Sequence, residues 1–212
     1  MPFVIAVDGP AASGKGTVAS RLARHYGFPY LDTGLLYRAV GVAVLRAGGD
    51  LGDPAVAEAA ARALRLSDLD DPALRGGVAG EAASRSAVHA GVRRALLELQ
   101  RDFARTEPGA VLDGRDIGTV IAPDAAVKIY VTASPEVRAE RRWKQLLGLG
   151  ETIAYETVLA DVRRRDERDA ARDASPMLPA PDAVLLDTTD LDIEAATDAA
   201  RRIVEAARGL RA

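Results

Sequence analysis

The 212-residue chain contains no cysteine and no asparagine. Without cysteine there are no disulfides, no thiolate nucleophile and no cysteine-ligated zinc. Histidine is nearly absent too. His25 and His89 both fall within helical patterns, where an imidazole ordinarily packs or faces water, so neither histidine metal ligation nor a Ser–His pair is expected. No apolar run approaches the ~20 residues of a membrane-spanning helix, and Phe3–Val7 is too short and uncharged at its start for a signal peptide. The expected location is the cytoplasm, with no membrane attachment. Net charge is only −3, which gives no bias toward nucleic-acid polymers or anionic surfaces. Lysine is scarce: Lys15, Lys128 and Lys144 are the whole set, and every other basic side chain is arginine.

What is present is an apolar fraction of 48% beside 28% charged residues, enough for one α/β domain with a sizeable core and small inserted subdomains. Short apolar runs at Phe3–Val7, Ala110–Leu112, Val127–Val131 and Ala183–Leu186 alternate with amphipathic stretches of three- and four-residue periodicity. A further short strand precedes Leu35. This alternation predicts a parallel sheet covered by helices on both faces. Helices are expected over Lys15–Tyr26, Leu35–Ala47, Ala55–Leu64, Gly80–Arg105, Pro135–Leu147, Tyr155–Arg172 and Ile193–Arg208. Asp68–Gly80 is rich in Asp, Gly and Pro and reads as an irregular insert. The basic helix ending at Gly148-Leu149-Gly150 reads as part of a hinged flap.

The first strand runs into "VDGPAASGKGTVASRL". A glycine-rich turn between a strand and a helix aims backbone N–H groups inward as a phosphate cradle, and the helix N-terminus adds partial positive charge. Gly9, Pro10, Ala11, Ala12, Ser13 and Gly14 form that turn, with Lys15 placed to reach the outer phosphates. The usual pattern has a hydroxyl directly after the lysine. Here Gly16 stands there and the hydroxyl follows at Thr17. A GTPase would also carry an Asn/Thr-Lys-x-Asp guanine-reading motif. With no asparagine and no lysine after threonine, that reading fails.

Four more segments carry charge where a core element would not. "LDTGLLYR" places Thr33, Tyr37 and Arg38 on one helix face. "ASRSAVHAGVRRALLELQ" carries Ser84 and Arg93. "VLDGRDIGTV" ends a buried strand in Asp113-Gly114-Arg115-Asp116. "RRRDERDAARD" alternates signs along a helix, a pattern that by itself usually marks a solvated, salt-bridged face. Taken together and in this order after this loop, the segments resemble bacterial cytidylate kinase, a P-loop nucleoside monophosphate kinase family. The resemblance extends over almost the whole chain. Between Thr33 and Ser84 it departs: "ALRLSDLDDPALRGGVAG" is short and turn-rich, where better-known members carry a longer insert with a hairpin-like piece.

The resemblance implies a single P-loop kinase domain, with an acceptor-binding segment near residues 33–106 and a lid near 138–172. It implies transfer of the γ-phosphoryl group of ATP to CMP or dCMP. It places Arg38, Arg115 and Arg172 on the CMP phosphate and Arg165 and Asp169 on the ribose, with Thr33 and Tyr37 nearby. Ser84, Arg93 and Asp116 fall at the cytosine edge. Lys15 becomes the γ-phosphate ligand, and Gly16 completes the loop. Arg138, Arg141 and Arg142 become lid residues that swing onto the ATP phosphates, with Lys15, Arg115 and Arg142 closest to the transfer. Mg²⁺ is expected with ATP, near Thr17 and Asp113, directly or through water. A monomer is expected. The runner-up is a kinase for another small acceptor, such as UMP, AMP or a metabolite like shikimate; the set Ser84, Arg93 and Asp116 has no evident use for an acceptor that is not a nucleotide.

Overall fold

The computed structural model describes residues 2–171 and 176–209. Five strands form one parallel sheet: β1 (Phe3–Asp8), β2 (Tyr30–Asp32), β3 (Gly109–Gly114), β4 (Val127–Thr132) and β5 (Val184–Asp187), in the spatial order β2-β3-β1-β4-β5. The order reverses direction at β1, so the crevice beyond its C-terminal end, flanked by β3 and β4, is where ligands bind in such sheets. Register sets what that crevice displays. Asp8 pairs with Gly114 and Tyr130, Asp32 with Asp113, and Thr132 with Asp187. The strands are mostly apolar and carry a polar residue at or next to their C-terminal end.

Alternation splits the core in two. Ile5, Val7, Val111, Ile129 and Leu186 face α1 (Lys15–Tyr26) and α8 (Ile193–Gly209). Val4, Ala6, Ala110 and Leu112 face α2 (Thr33–Arg46), α3 (Pro54–Ala63) and α5 (Ala90–Ala104). β1, β3 and most of β4 are therefore buried on both sides, as the continuous apolar runs predict, whereas at the sheet edge Val184 and Leu185 of β5 are exposed. Helix ends follow local chemistry. Asp32 caps α2 by accepting from Gly34 N at 2.8 Å. Asp53 caps α3, with Pro54 at the first helical position. Ser134 and Pro135 repeat that device for α6 (Pro135–Gly148).

One expected element is divided. Gly80–Arg105 is not a single helix: α4 (Gly77–Ser86) ends at Ala87, and α5 begins after His89. His89 is extended (φ −78°, ψ 119°), and its Nε2 meets the carbonyl of Leu51 at 2.8 Å. α4 packs on α2 and α5 on α3, so the bend serves two different neighbours. Gly41 of α2 lies where a β-carbon would come within 2.7 Å of Ala82 Cβ in α4. The insert before α4 is two single turns of 3₁₀ helix, Leu66–Asp70 and Pro72–Arg75. The flap is α6 paired with α7 (Tyr155–Ala170) around its own small core of Ala139, Leu146, Val158 and Val162.

The phosphate loop is seated under strain. Gly9 has φ +146°, and a β-carbon there would lie 2.0 Å from the carbonyl oxygen of Val131 on β4. Ala12 holds a positive φ of 60°, which a non-glycine residue adopts only when its surroundings require it. Gly9→Ala is expected to destabilise the fold by about 3 kcal/mol or more, since the backbone strain adds to the overpacking. Chemical denaturation checks this; an unchanged midpoint would mean that the loop relaxes freely.

Candidate active site

Two clefts meet at the loop. The cleft where the acceptor is expected is lined by the loop, the first turn of α2, α4, α5, the Asp113–Asp116 strand end and α7. The cleft where the donor is expected lies across the loop, between Thr17, Val18, α6 and the start of α8. Lys15 and Arg142 show how the two connect: Lys15 lines the first cleft from the loop, and Arg142 lines both.

At the bottom of the acceptor cleft Lys15 Nζ stands 3.7 Å from Asp113 Oδ2, while Tyr30 donates to Asp113 Oδ1 at 2.6 Å. Burial pushes the Asp113 carboxyl up, helped by the nearby Asp32, and pushes the Lys15 ammonium down, helped by Arg115. Each group is held toward its neutral form by lost water. Thr33 packs here with its hydroxyl donated to Asp113 O at 2.8 Å. Gly16 lies beside the Tyr30–Asp113 pair, with room for ordinary contacts only. A β-carbon on it would stand 3.5 Å from Tyr30 Oη and 3.7 Å from Asp113 Oδ2, so the phenol–carboxylate pair borders the usual hydroxyl position. Thr17, one place on, is exposed and borders the donor cleft.

Arg38, Arg142 and Arg165 converge. A β-carbon on Gly80 would lie 3.4 Å from Arg165 Nη1, 3.5 Å from Arg142 Nη2 and 3.9 Å from Arg38 Nη2. Among the described residues none of the three has a carboxylate within 4.0 Å. Burial lowers all three; repulsion from Arg38 adds to it at Arg142, and repulsion from Arg115, Arg38 and Arg142 at Arg165, bringing those two to about 10, while at Arg38 the nearby Asp32 opposes the shift. Arg165 Nε is buried without a hydrogen-bond partner. Arg115, by contrast, pairs with Asp169 (Nε to Oδ2, 3.0 Å). Higher in the cleft Arg93 Nη2 pairs with Asp116 Oδ2 and Nη1 donates to Ala87 O at 3.3 Å, while Nε is buried without a partner. The Arg93 guanidinium also lies over the Tyr37 ring, 5.5 Å from its centroid. Asp8, below the loop, accepts from Ile117 N and Gly118 N, both at 2.8 Å, and so fixes the turn that presents Arg115 and Asp116.

The flap arginines divide. Arg141 reaches over the loop, donating to Ser13 O (3.3 Å), Thr188 Oγ1 (3.0 Å) and Thr188 O (2.7 Å). Arg142 lies between the clefts and donates to Gly76 O at 3.3 Å. Arg138 stands apart. It is buried, with Nε on Ala133 O, Nη1 and Nη2 forked onto Asp166 at 3.0 and 2.6 Å, and Nη1 on Ala11 O at 3.4 Å. Its donors tie α6, α7 and the loop together, and it lines neither cleft. In this arrangement it acts as a strut, one of whose bonds reaches the loop that is expected to hold ATP. Arg172 lies outside the described residues. Thr188 escaped the sequence reading: it donates to Ser13 O at 2.9 Å and borders the donor cleft. Its signal was available, because Thr188-Thr189 directly follow the last strand, where such sheets place ligand contacts.

The family model for cytidylate kinase matches residues 5–206. The chain belongs to the cytidylate kinase family. It is 70% identical over 208 residues to a cytidylate kinase of Caulobacter vibrioides, covering 98% of each chain. It is 64% identical over 206 residues to that of Xanthobacter autotrophicus, covering 97% of this chain and 99% of the relative. A solved structure of an uncharacterized protein from Eubacterium ventriosum superposes with a TM-score of 0.55 at 16% identity, covering 96% of this chain and 98% of that one. This last likeness concerns the fold alone. The five-stranded parallel sheet with flanking helices is the P-loop kinase architecture that the family leads one to expect.

Proposed function

We propose that the chain transfers the γ-phosphoryl group of ATP to CMP or dCMP, giving ADP and CDP or dCDP. One observation carries the proposal: the guanidiniums of Arg38, Arg142 and Arg165 gather in a buried cleft beside Lys15, with no carboxylate partner among the described residues. Buried like charges are costly unless an anion joins them. A nucleotide monophosphate facing a triphosphate supplies two.

In the transfer an acceptor phosphate oxygen attacks the γ-phosphorus and the bond to the β,γ-bridging oxygen breaks. Charge is spread over the equatorial oxygens, so catalysis consists of positioning and positive charge. Loop N–H groups and Lys15 hold the donor phosphates, and Arg141 and Arg142 approach them from the flap. Arg38, Arg115 and Arg172 hold the acceptor phosphate. Arg165 and Asp169 take the ribose, and Ser84, Arg93 and Asp116 take the base over Tyr37. Thr33 positions the Asp113 backbone.

The residues present fit Mg²⁺. Asp32 and Asp113 offer hard oxygens at adjacent strand ends, the Thr17 hydroxyl borders the donor cleft, and magnesium keeps several waters while taking one or two carboxylates. Held there with ATP, the ion would supply positive charge against the phosphates. No helix among the described residues is long and apolar enough to cross a membrane. We place the enzyme in the cytoplasm as a monomer acting on small nucleotides, with residues 33–106 as the acceptor segment and 138–172 as the lid.

ADP release with CMP, dCMP, UMP, AMP or no acceptor tests the proposal, and turnover that does not depend on CMP or dCMP would overturn it. Arg115→Lys separates acceptor from donor roles. Lysine can retain the ion pair with Asp169 but loses the planar fork that grips a phosphate with two parallel bonds. kcat/KM for CMP is expected to fall at least ~10-fold with KM for ATP unchanged. A change confined to KM for ATP would move Arg115 to the donor side.

A further inference from the structure

Arg168 lies between Arg165 and Asp169, yet it faces the other way. From α7 its Nη1 donates to Ser84 Oγ at 2.8 Å, and both terminal nitrogens grip the Glu81 carboxylate at 3.0 and 3.3 Å. Glu81 and Ser84 are three residues apart on α4 and present one edge to it. Ser84 lines the acceptor cleft; Arg168 and Glu81 do not. Arg168 therefore acts on the cleft from behind, through Ser84.

A serine hydroxyl has one proton to donate and two lone pairs to accept with, whereas a guanidinium only donates. The bond from Arg168 occupies a lone pair and leaves the proton to be placed elsewhere. Within a helix its usual outlet is the carbonyl four residues back, here that of Gly80, but no such bond is made. Among the described residues the Ser84 hydroxyl has Arg168 as its only hydrogen-bond partner. Ser84 is 4% exposed and lines the acceptor cleft, so the acceptor that its O–H calls for lies on the cleft side. With a nucleotide seated there and water displaced, that acceptor has to come from the ligand.

We propose that Arg168 is a specificity-positioning residue that fixes Ser84 as a hydrogen-bond donor toward the acceptor base. This rests on the proposed reading of Ser84 as a base contact. Left alone, a serine could turn to suit either pyrimidine. Polarised from behind, it favours cytosine, whose N3 accepts, over uracil, whose N3 carries a proton. Meeting uracil N3–H would leave the Ser84 proton buried without a partner, a mismatch that a hydrogen-bonding site rejects.

The test is kcat/KM for CMP and UMP at saturating ATP for the wild type, Arg168→Ala, Arg168→Lys, Ser84→Ala and the Arg168→Ala/Ser84→Ala double variant. Arg168→Ala is expected to lower the CMP/UMP ratio about tenfold, chiefly by losing CMP activity, with KM for ATP unchanged. Arg168→Lys, which keeps a cationic donor for Ser84, should recover most of the ratio. The double variant should show the same ratio as Ser84→Ala alone, because one residue acts through the other. Arg168→Met keeps the stem, loses the donors and should repeat the result if the alanine variant folds poorly. An equal loss for both nucleotides, or a full additional fall in the Ser84→Ala background, would overturn the role of Arg168 and leave the base-reading proposal standing. Equal use of CMP and UMP by the wild type would remove both.

Discussion

Lys15→Ala is expected to fold normally and to lose at least ~10²-fold in kcat, the usual cost of removing an electrostatic ligand from a transferring group. The structure separates this from a folding defect. Lys15 is one of two buried groups that each lean toward neutrality, and its contact with Asp113 is 3.7 Å long. Removing a buried ion-pair partner is usually harmful because it strands a charge. Here burial already raises Asp113, and a carboxyl so placed escapes the penalty by taking up a proton. Removing Lys15 also ends the cost of desolvating an ammonium. The thermal midpoint should therefore move little while turnover collapses. The converse result, a large stability loss with near-normal kcat in the folded fraction, would make Lys15 a structural partner of Asp113 and not a phosphate ligand. Thermal unfolding and initial rates on one preparation decide between them.

The parts of this site that could be read in the sequence are those where backbone and chemistry coincide. Gly9, Gly14 and Lys15 are legible because a tight turn, a helix start and a long cation all have fixed spacings, and the structure places β1 and α1 at Phe3–Asp8 and Lys15–Tyr26. Asp113, Arg115 and Asp116 are legible because charge at the end of an apolar run marks the ligand edge of a sheet. Features created by tertiary contact were not legible. The break at Ala87–His89 has no proline, and its cause is His89 reaching the Leu51 carbonyl while α4 and α5 settle on different helices. Arg138, Arg141 and Arg142 look alike on a basic helix, but 3.6-residue geometry sends the first to Asp166 and the backbone of the loop, and the others to the clefts. "RRRDERD" by itself reads as a solvated face; the resemblance marks Arg165 and Asp169, which line the cleft, and only packing reveals the strut (Asp166) and the back of Ser84 (Arg168).

CMP is expected to exceed UMP by at least ~10²-fold in kcat/KM, equivalent to about 3 kcal/mol of differential transition-state binding. Cytosine offers an amino donor at N4 and acceptors at N3 and O2, whereas uracil offers O4 and a protonated N3. An ionised carboxylate accepts only, and a guanidinium donates only. Asp116 and Arg93 are paired through Oδ2 and Nη2, both residues are buried, and Arg93 Nε has no partner. The pair holds both side chains in place and leaves the second carboxylate oxygen as an acceptor for cytosine's amino group, beside guanidinium and Ser84 donors suited to the ring's acceptor edge. Uracil would set O4 against the carboxylate and N3–H against a donor, leaving buried groups unpaired on both sides. Asp116→Asn alters the sign of one of these contacts. Its amide oxygen can still accept from Arg93 Nη2, while its amino group can face O4. The CMP/UMP ratio should then fall by roughly tenfold or more, mainly through lost CMP activity. Because Arg93 loses its charged partner, a drop in thermal midpoint is expected as well, so the ratio is read on folded enzyme, where the loss of folded fraction cancels between the two nucleotides. A ratio that stays at its wild-type value in Asp116→Asn would mean that this carboxylate only anchors Arg93, leaving discrimination to Arg93 and Ser84.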